Sequence, residues 1–161
     1  MDTILLDIPG VPGQSTIKGF IDKIELLSFS HGVSLPMTSS PSAADRTSGR
    51  PNHQDLSVSK YVDLSTCLLI NACNKATNLK TVKLTVGRND TDGTLLAYLV
   101  ITMENTMVSS VSTSGGGGGL PMESISFNYS KITWDFTEQK KDVGKKGNNQ
   151  AVWDLSTNAA A

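Results

Sequence analysis

Apolar residues recur at every second position in several short segments of this chain, and this alternation constrains its fold more than any other feature. From residue 79 to residue 87, Val82, Leu84 and Val86 share one face while the residues between them are mostly polar. A period of two is typical of a β-strand with one buried face. The stretch NDTDG at 89–93 then predicts a hairpin turn. Repeated along the chain, such segments predict six or seven strands.

The strand predicted near residues 120–136 contains an irregularity. Its apolar residues occupy odd positions as far as Tyr129 and even positions from Ile132 onward. A regular strand keeps a period of two, so the pattern slips by one near Ser130. A β-bulge, or a bend where the sheet turns a corner, explains this slip. Burial of both faces explains it equally well.

One segment predicts a helix. Asp63 or Ser65 is suited to cap its start, and the helix is expected to run to about Lys75. Cys67 and Cys73 lie about 120° apart around its axis, so we do not expect them to pair with each other. We predict that both are buried, reduced thiols, as in a protein that folds in a reducing cytosol. The predicted apolar side of the helix consists of Leu64, Cys67, Leu68, Ile70 and Ala72.

Together these elements indicate a mainly β fold, either a barrel or a sandwich, with one accessory helix. The chain has 161 residues and a mass of 17.1 kDa. This is the usual length of a single domain, which we place over residues 1–161. A chain of this length buries a core without disulfide or metal support.

The charge balance argues against several classes of partner. With a net charge of -1 and a pI near 6.1, the chain lacks the excess of Lys and Arg with which proteins bind nucleic acid.

No apolar run approaches the roughly 20 residues that cross a membrane, so we expect no membrane insertion. The start of the chain lacks the basic and apolar regions of a signal peptide. If the protein leaves the cell, we expect specialised machinery to export it.

Residues suited to catalysis or metal binding are few, and they lack the usual spacings. The two histidines, His31 and His53, have no cysteine partners at zinc-ligand spacing. His53, Asp55 and a serine could supply a catalytic triad, but a strand start whose polar side chains satisfy backbone groups is the simpler interpretation. The five glycines at 115–119 predict a connector, since a strand follows them rather than a helix and a Lys. We therefore expect no enzymatic activity, no cofactor and no metal site.

Four segments, taken in order, resemble one family. They are SFSHGVS (28–34), HQDLSVSKYVDLST (53–66), VSSVSTSGGGGGLPMESISFNYSKITWDF (108–136) and VWDLSTN (152–158). Together they are similar to the haemolysin-coregulated protein (Hcp) family of bacterial type VI secretion systems. The resemblance extends over nearly the whole chain from residue 8 onward and is lowest at 38–49 and 140–147.

This resemblance implies a β-barrel of about six to eight strands with one flanking α-helix, similar to the subunits of phage tail tubes. It also implies six-membered rings that stack inside a contractile sheath capped by a spike protein. It implies that the protein is made in the bacterial cytoplasm and is exported to the extracellular space or a target cell, with small effector proteins in the ring lumen. Two other hypotheses remain: a phage tail-tube subunit and a free-standing β-barrel binding module. A carbohydrate-binding module would expose an aromatic platform, and only 6% of the residues are aromatic.

Two sets of candidate site residues follow from the implied assembly. Alternation over 18–30 places Ser28 and Ser30 on a mixed face together with Leu26, and we assign both serines to the lumen. The segment 35–51 has no periodicity, and loops of this length are usually functional or disordered. We assign it to contacts with a neighbouring ring or subunit. Its candidate residues are Leu35, Met37, Asp45, Arg46 and Arg50.

Overall fold

The computed structural model describes residues 2–37, 42, 49–139 and 145–160. Over these residues the chain forms twelve β-strands and one α-helix. The helix, α1 (Thr66–Asn74), follows the sixth strand. The strands are β1 (Thr3–Asp7), β2 (Ile24–Leu26), β3 (Ser28–Ser30), β4 (Val33–Ser34), β5 (Asn52–His53), β6 (Leu56–Tyr61), β7 (Val82–Asn89), β8 (Leu95–Glu104), β9 (Met107–Ser114), β10 (Met122–Asn128), β11 (Lys131–Gln139) and β12 (Lys145–Asp154).

The strands form three antiparallel sheets. The large sheet has the order β12-β11-β8-β7-β1-β2, and the small sheet has the order β3-β6-β10-β9. The third sheet is a ribbon of β4 and β5 alone, in which Val33 pairs with His53 and Ser34 pairs with Asn52. The large and small sheets share one hydrophobic core, to which both contribute buried side chains.

The chain passes between the large and small sheets at three corners. It leaves β2 for β3 at Leu27, leaves β8 for β9 at Asn105–Thr106, and leaves β10 for β11 at Tyr129–Ser130. At the third corner the Ser130 N–H donates to the Glu104 carbonyl (3.1 Å). The slip predicted near Ser130 is therefore a corner of the fold, where one strand ends and the next begins in the other sheet.

The prediction of a mainly β fold with one helix is confirmed. The structure contains more strands than the six to eight expected, because corners and turns divide the long predicted segments. The segment 18–30 contains β2 and β3, the segment 52–61 contains β5 and β6, and the segment 94–111 contains β8 and most of β9. The alternative of two joined strands in 94–111 is thus the right one.

In the segment 18–30, the buried and exposed faces differ from those predicted. Ile24 and Leu26 are buried, but the next inward side chain is Phe29, and Ser28 and Ser30 are exposed. The prediction that both serines share a face with Leu26 is therefore wrong. The physical reason is the corner at Leu27, whose N–H donates to the Ser59 carbonyl (2.8 Å). This bend shifts the alternation by one residue.

The helix packs through a different side from the one expected. Thr66, Leu69 and Ala72 are buried and form a stripe at i, i+3 spacing. The residues predicted to face the core are largely outside it: Cys67 is exposed, as are Leu64 (59%), Leu68 (41%) and Ile70 (36%). Both thiols are free, as predicted, but Cys67 is exposed and Cys73 is only half-buried, so the prediction of buried thiols is wrong.

A fully buried ion pair joins the small sheet to the start of α1. Lys60 of β6 lies opposite Glu123 of β10, and the side chains form a salt bridge with no exposed surface on either. Lys60 Nζ also contacts Asp63 Oδ1 (2.7 Å), and the Thr66 hydroxyl donates to Glu123 Oε1 (2.9 Å). Asp63 in turn accepts a hydrogen bond from the Ser65 N–H (2.9 Å). One network therefore fixes two strands and the first turn of the helix.

Removing one member of this pair should destabilise the protein strongly. We expect Lys60→Met to lower the free energy of unfolding by about 3–5 kcal/mol, because it leaves the Glu123 carboxyl buried without its cation. The double variant Lys60→Met with Glu123→Leu should recover most of that loss. Urea unfolding followed by circular dichroism at one protein concentration measures all variants.

The matched control is Lys23→Met. Lys23 and Asp7 form a salt bridge at 2.8 Å, but their side chains are 33% and 46% exposed. Solvent screening limits such a pair to about 1 kcal/mol or less. Equal losses for Lys60→Met and Lys23→Met would contradict a special role for the buried pair.

Candidate functional site

Each strand of the small sheet carries two serines separated by one apolar residue. These serines align across the strands, because directly opposed residues project from the same face. One row contains Ser28, Ser59, Ser124 and Ser112, and the second contains Ser30, Ser57, Ser126 and Ser110. We call these eight residues the hydroxyl face.

The hydroxyl face points away from the core because its serines alternate with core residues. The side chains between the serine pairs are Phe29, Val58, Ile125 and Val111, which are buried or half-buried and pack in the core. Five of the eight serines are exposed and three are half-buried. Ser28 Oγ and Ser59 Oγ are 2.6 Å apart, and Ser57 Oγ and Ser126 Oγ are 3.2 Å apart. Neighbouring strands are thus linked by hydroxyl contacts on the outside as well as by the core.

The two ends of the hydroxyl face differ in chemistry. At one end, the Asp55 carboxylate accepts hydrogen bonds from the Ser109 hydroxyl (2.7 Å) and the Asn128 amide (2.9 Å). At the other end, Tyr61 pairs with Met122, and their side chains are 47% and 42% exposed. The face therefore runs from a hydrogen-bonded carboxylate, across uncharged hydroxyls, to an apolar rim.

Such a face is suited to weak, reversible hydrogen bonding. Each serine hydroxyl both donates and accepts, so it can pair with almost any polar group. One hydrogen bond contributes only about 0.5–1.5 kcal/mol net, so no single contact holds a partner tightly. His31, next in the chain to Ser30, directs its Nε2 to the Tyr129 hydroxyl rather than to a serine.

A cluster of rings lies next to the hydroxyl face. Its members are His31, His53, Tyr129, Trp134 and Trp153, which we call the histidine–aromatic cluster. The His53 ring stacks near Trp134 (6.0 Å between centroids) and Trp153 (6.4 Å). The His31 ring lies 5.6 Å from Trp134 and 6.2 Å from His53. Sequence analysis treated the two histidines separately, and the fold brings them together.

The hydrogen bonds in this cluster show that Nε2 of His31 carries a proton. The Tyr129 hydroxyl donates its proton to the Gln54 carbonyl (2.9 Å), so its contact with His31 requires Nε2–H as the donor. Burial, followed by the nearby charge of Asp55, raises the pKa of Tyr129 far above its usual value of 10.0. The phenol therefore keeps its proton throughout the physiological range.

The structure brings together only part of the candidate set from the sequence. Ser28 and Ser30 lie on the hydroxyl face, on β3. Leu35, Met37 and Arg50 are exposed on the segment that follows the ribbon strand β4 and precedes β5. The remaining two candidates, Asp45 and Arg46, lie outside the described residues.

The other six serines of the face were not predicted, although the sequence contains a signal for them. The pattern serine–apolar–serine occurs as SFS, SVS, SVS and SIS at 28–30, 57–59, 110–112 and 124–126. Four copies of one alternating pattern predict four strands with hydroxyls on a common face. The histidine–aromatic cluster has no comparable signal, because His31 and Tyr129 are 98 residues apart.

Two further features concern metals and membranes. Across the described ranges, no group of three or more His, Cys, Asp or Glu side chains is arranged to hold a metal ion. The single helix in that part of the chain is too short to cross a membrane. Asp55 receives hydrogen bonds from side chains of β9 and β10, so the interpretation that it satisfies local backbone groups is wrong for this residue.

Comparison with known proteins defines the class. A family model described as "Type VI secretion system effector, Hcp" matches residues 5–136. Protein hcp1 of Pseudomonas aeruginosa is 32% identical over 164 residues, which cover 98% of both chains. A structure titled "Structure of a type six secretion system protein" superposes with a TM-score of 0.92 at 26% identity, over 100% of both chains. The crystal structure of Hcp1 from Salmonella typhimurium has a TM-score of 0.79 at 23% identity, over 99% of both.

These matches place the chain among the tube proteins of type VI secretion. More specifically, the chain belongs to the Hcp family, because the family model covers most of its length and a relative above 30% identity covers nearly all of it. The family resemblance found in the sequence is therefore confirmed.

The Tyr129 hydroxyl should contribute measurably to stability. We expect Tyr129→Phe to lower the free energy of unfolding by about 1–3 kcal/mol, because the Gln54 carbonyl and the His31 ring both lose their partner in a partly buried site. Tyr98→Phe is the control, since the Tyr98 hydroxyl donates to Asp2 (2.6 Å) at an exposed position. Urea unfolding of the two variants compares them, and an equal effect would contradict the assigned role.

Proposed function

We propose that this protein is the subunit of a type VI secretion inner tube, forming six-membered rings that stack inside a contractile sheath and leave the cell when the sheath contracts. The observation that carries this proposal is the hydroxyl face of the small sheet, in a chain that belongs to the Hcp family. The protein acts as a structural part and catalyses no reaction. Sheath and spike proteins, and small effectors as cargo, are its proposed partners.

The hydroxyl face is the proposed lining of the ring lumen, which extends the assignment of Ser28 and Ser30 to all eight serines. Aligned neutral hydroxyls support this role, because they offer many weak contacts and no charge that would trap a moving protein. Repeated around a ring, weak contacts hold cargo through their number and release it when the ring comes apart.

The ring contacts are proposed to lie at the two sides of the small sheet. β3 and β9 each have one strand partner in the part of the chain that the structure describes, so each presents a backbone edge. α1 lies beside β9 and carries the exposed Leu68, and the exposed Leu64 lies just before its first turn. The two sides therefore differ, as a head-to-tail ring requires.

Contacts between stacked rings are assigned to the segment between β4 and β5. Leu35 (39% exposed) and Met37 (58% exposed) offer apolar surface there, and Arg50 adds a charge. Asp45 and Arg46 belong to the same proposal on sequence alone. A ring-to-ring contact smaller than the ring interface itself would permit stacking on demand.

Assembly is tested by analytical ultracentrifugation and negative-stain microscopy. We expect six-membered rings at micromolar concentration for the wild type. Leu68→Glu should shift the population toward monomers, because it places a charge in the proposed apolar contact. Thr94→Glu adds the same charge at an exposed position of the β7–β8 turn and should leave rings intact.

A wild-type protein that stays monomeric across micromolar concentrations would overturn the ring proposal. Intact rings of Leu68→Glu would overturn only the role of α1. Unchanged circular dichroism of the variant shows that it is folded.

The lumen assignment is tested with Ser30→Arg. We expect rings of normal size by sizing chromatography, but loss of most of a small effector protein co-expressed as cargo, because the added arginines crowd and charge the lumen. Thr94→Arg is the control with the same charge outside the face. Loss of the ring itself would place Ser30 in an interface, and normal cargo retention would remove the serine from the lumen.

A further inference from the structure

Within the described residues, the ribbon of β4 and β5 makes few backbone contacts with the rest of the fold. It has two residue pairs of its own and belongs to neither larger sheet. The Gln54 N–H donates to the Gly32 carbonyl (2.9 Å), which again joins the two arms of the ribbon to each other. Side chains must therefore hold it against its neighbours.

The side chains that anchor the ribbon include both histidines of the chain. His31 immediately precedes β4, and His53 is the last residue of β5. His53 stacks near Trp134 of β11 and Trp153 of β12, with interplanar angles of 29° and 17°. His31 contacts the Tyr129 hydroxyl and lies against Trp134. One imidazole on each arm thus packs on rings of the large sheet and its adjoining corner.

Burial outweighs the polar contacts that would favour a positive charge on these rings. Burial first, and then the charge of His53, lower the pKa of His31 below 6.5, against a hydrogen bond with the Gln54 backbone that raises it; burial also lowers the pKa of His53. No carboxylate of the described residues contributes to either shift. Asp55 is bound by Ser109 and Asn128, and Asp154 by Ser156. Asp135 follows Trp134 in β11 and so projects from the opposite face of that strand.

We propose that His31 and His53 form an acid-sensitive latch that holds the β4–β5 ribbon on the large sheet at neutral pH and releases it in acid. Two imidazolium rings 6.2 Å apart would repel each other in a half-buried site. Because the folded pKa values lie below the unfolded value of 6.5, the latch is complete above pH 6.5 and is lost as the pH falls below it.

The latch has a consequence for assembly that rests on the proposed function. The ribbon strands flank the segment 35–51, which we assigned to contacts between rings. Release of the ribbon would therefore loosen stacking in an acidic compartment or medium. The opening of the ribbon does not itself depend on rings, so the two proposals can fail separately.

The intrinsic tryptophan fluorescence of the chain can be used to follow the latch. The chain has two tryptophans, Trp134 and Trp153, and both contact His53. We expect their fluorescence to stay constant from about pH 8 to pH 6.5 and to change as the pH falls below 6.5. Over the same interval, hydrogen-exchange protection of the Gln54 amide should fall about tenfold or more, while that of β7 and β8 amides stays constant.

The control is the double variant His31→Gln with His53→Phe. Glutamine keeps a donor for the Tyr129 hydroxyl, and phenylalanine keeps the stacking between the tryptophans, but neither takes up a proton. The variant should show no transition down to about pH 5. A wild type without a transition, or a transition that persists in the double variant, would overturn the latch.

Two measurements on the wild type test the latch without relying on the folding of the variant or on ring formation. NMR titration of the wild-type imidazole C–H signals gives both pKa values directly, and values at or above 6.5 would overturn the latch. Sedimentation of the wild type at each pH reports the ring. Ribbon opening without any ring at neutral pH would keep the latch and reject the proposed assembly.

Discussion

The buried pair of Lys60 and Glu123 is the contact on which the hydroxyl face depends. A charged pair without solvent is stable only when its partners meet in good geometry, so it selects one register of β6 against β10. That register also places Ser59 opposite Ser124 and Ser57 opposite Ser126. A slip of one residue would turn serines into the core and expose Val58. The buried ion pair therefore sets the register that aligns the serines on the outer face of the sheet.

The same network explains why the helix lies where it does. Asp63 and Thr66 stand at the start of α1 and bind Lys60 and Glu123, so the first turn is tied to the sheet by charge and hydroxyl contacts. Leu69 and Ala72 then pack in the core, and the opposite side of the helix remains open. The apolar side predicted from residue type alone includes Leu64 and Leu68, which the fold leaves exposed.

Much of the fold could be predicted because its signals are local. Val82, Leu84 and Val86 alternate within one strand, and the slip at Ser130 marks a corner within one segment. The corner at Leu27 escaped prediction, because both faces of 18–30 are mixed and the bend is stabilised by Ser59, more than 30 residues away. The serine pattern was present in the sequence, but only the pairing of four distant strands shows that its copies form one face.

The corners also connect the two proposed roles of the protein. Ser30 is the last residue of the hydroxyl face on β3, and His31, next in the chain, begins the attachment of the ribbon. Tyr129, at the corner where β10 passes into β11, contacts His31 and closes the same junction from the other side. The ribbon and the edge of the proposed lumen are therefore joined by a single peptide bond. The two proposed roles also call for different chemistry: a cargo-binding face can consist of neutral hydroxyls, whereas an acid-sensitive latch requires groups that gain a charge.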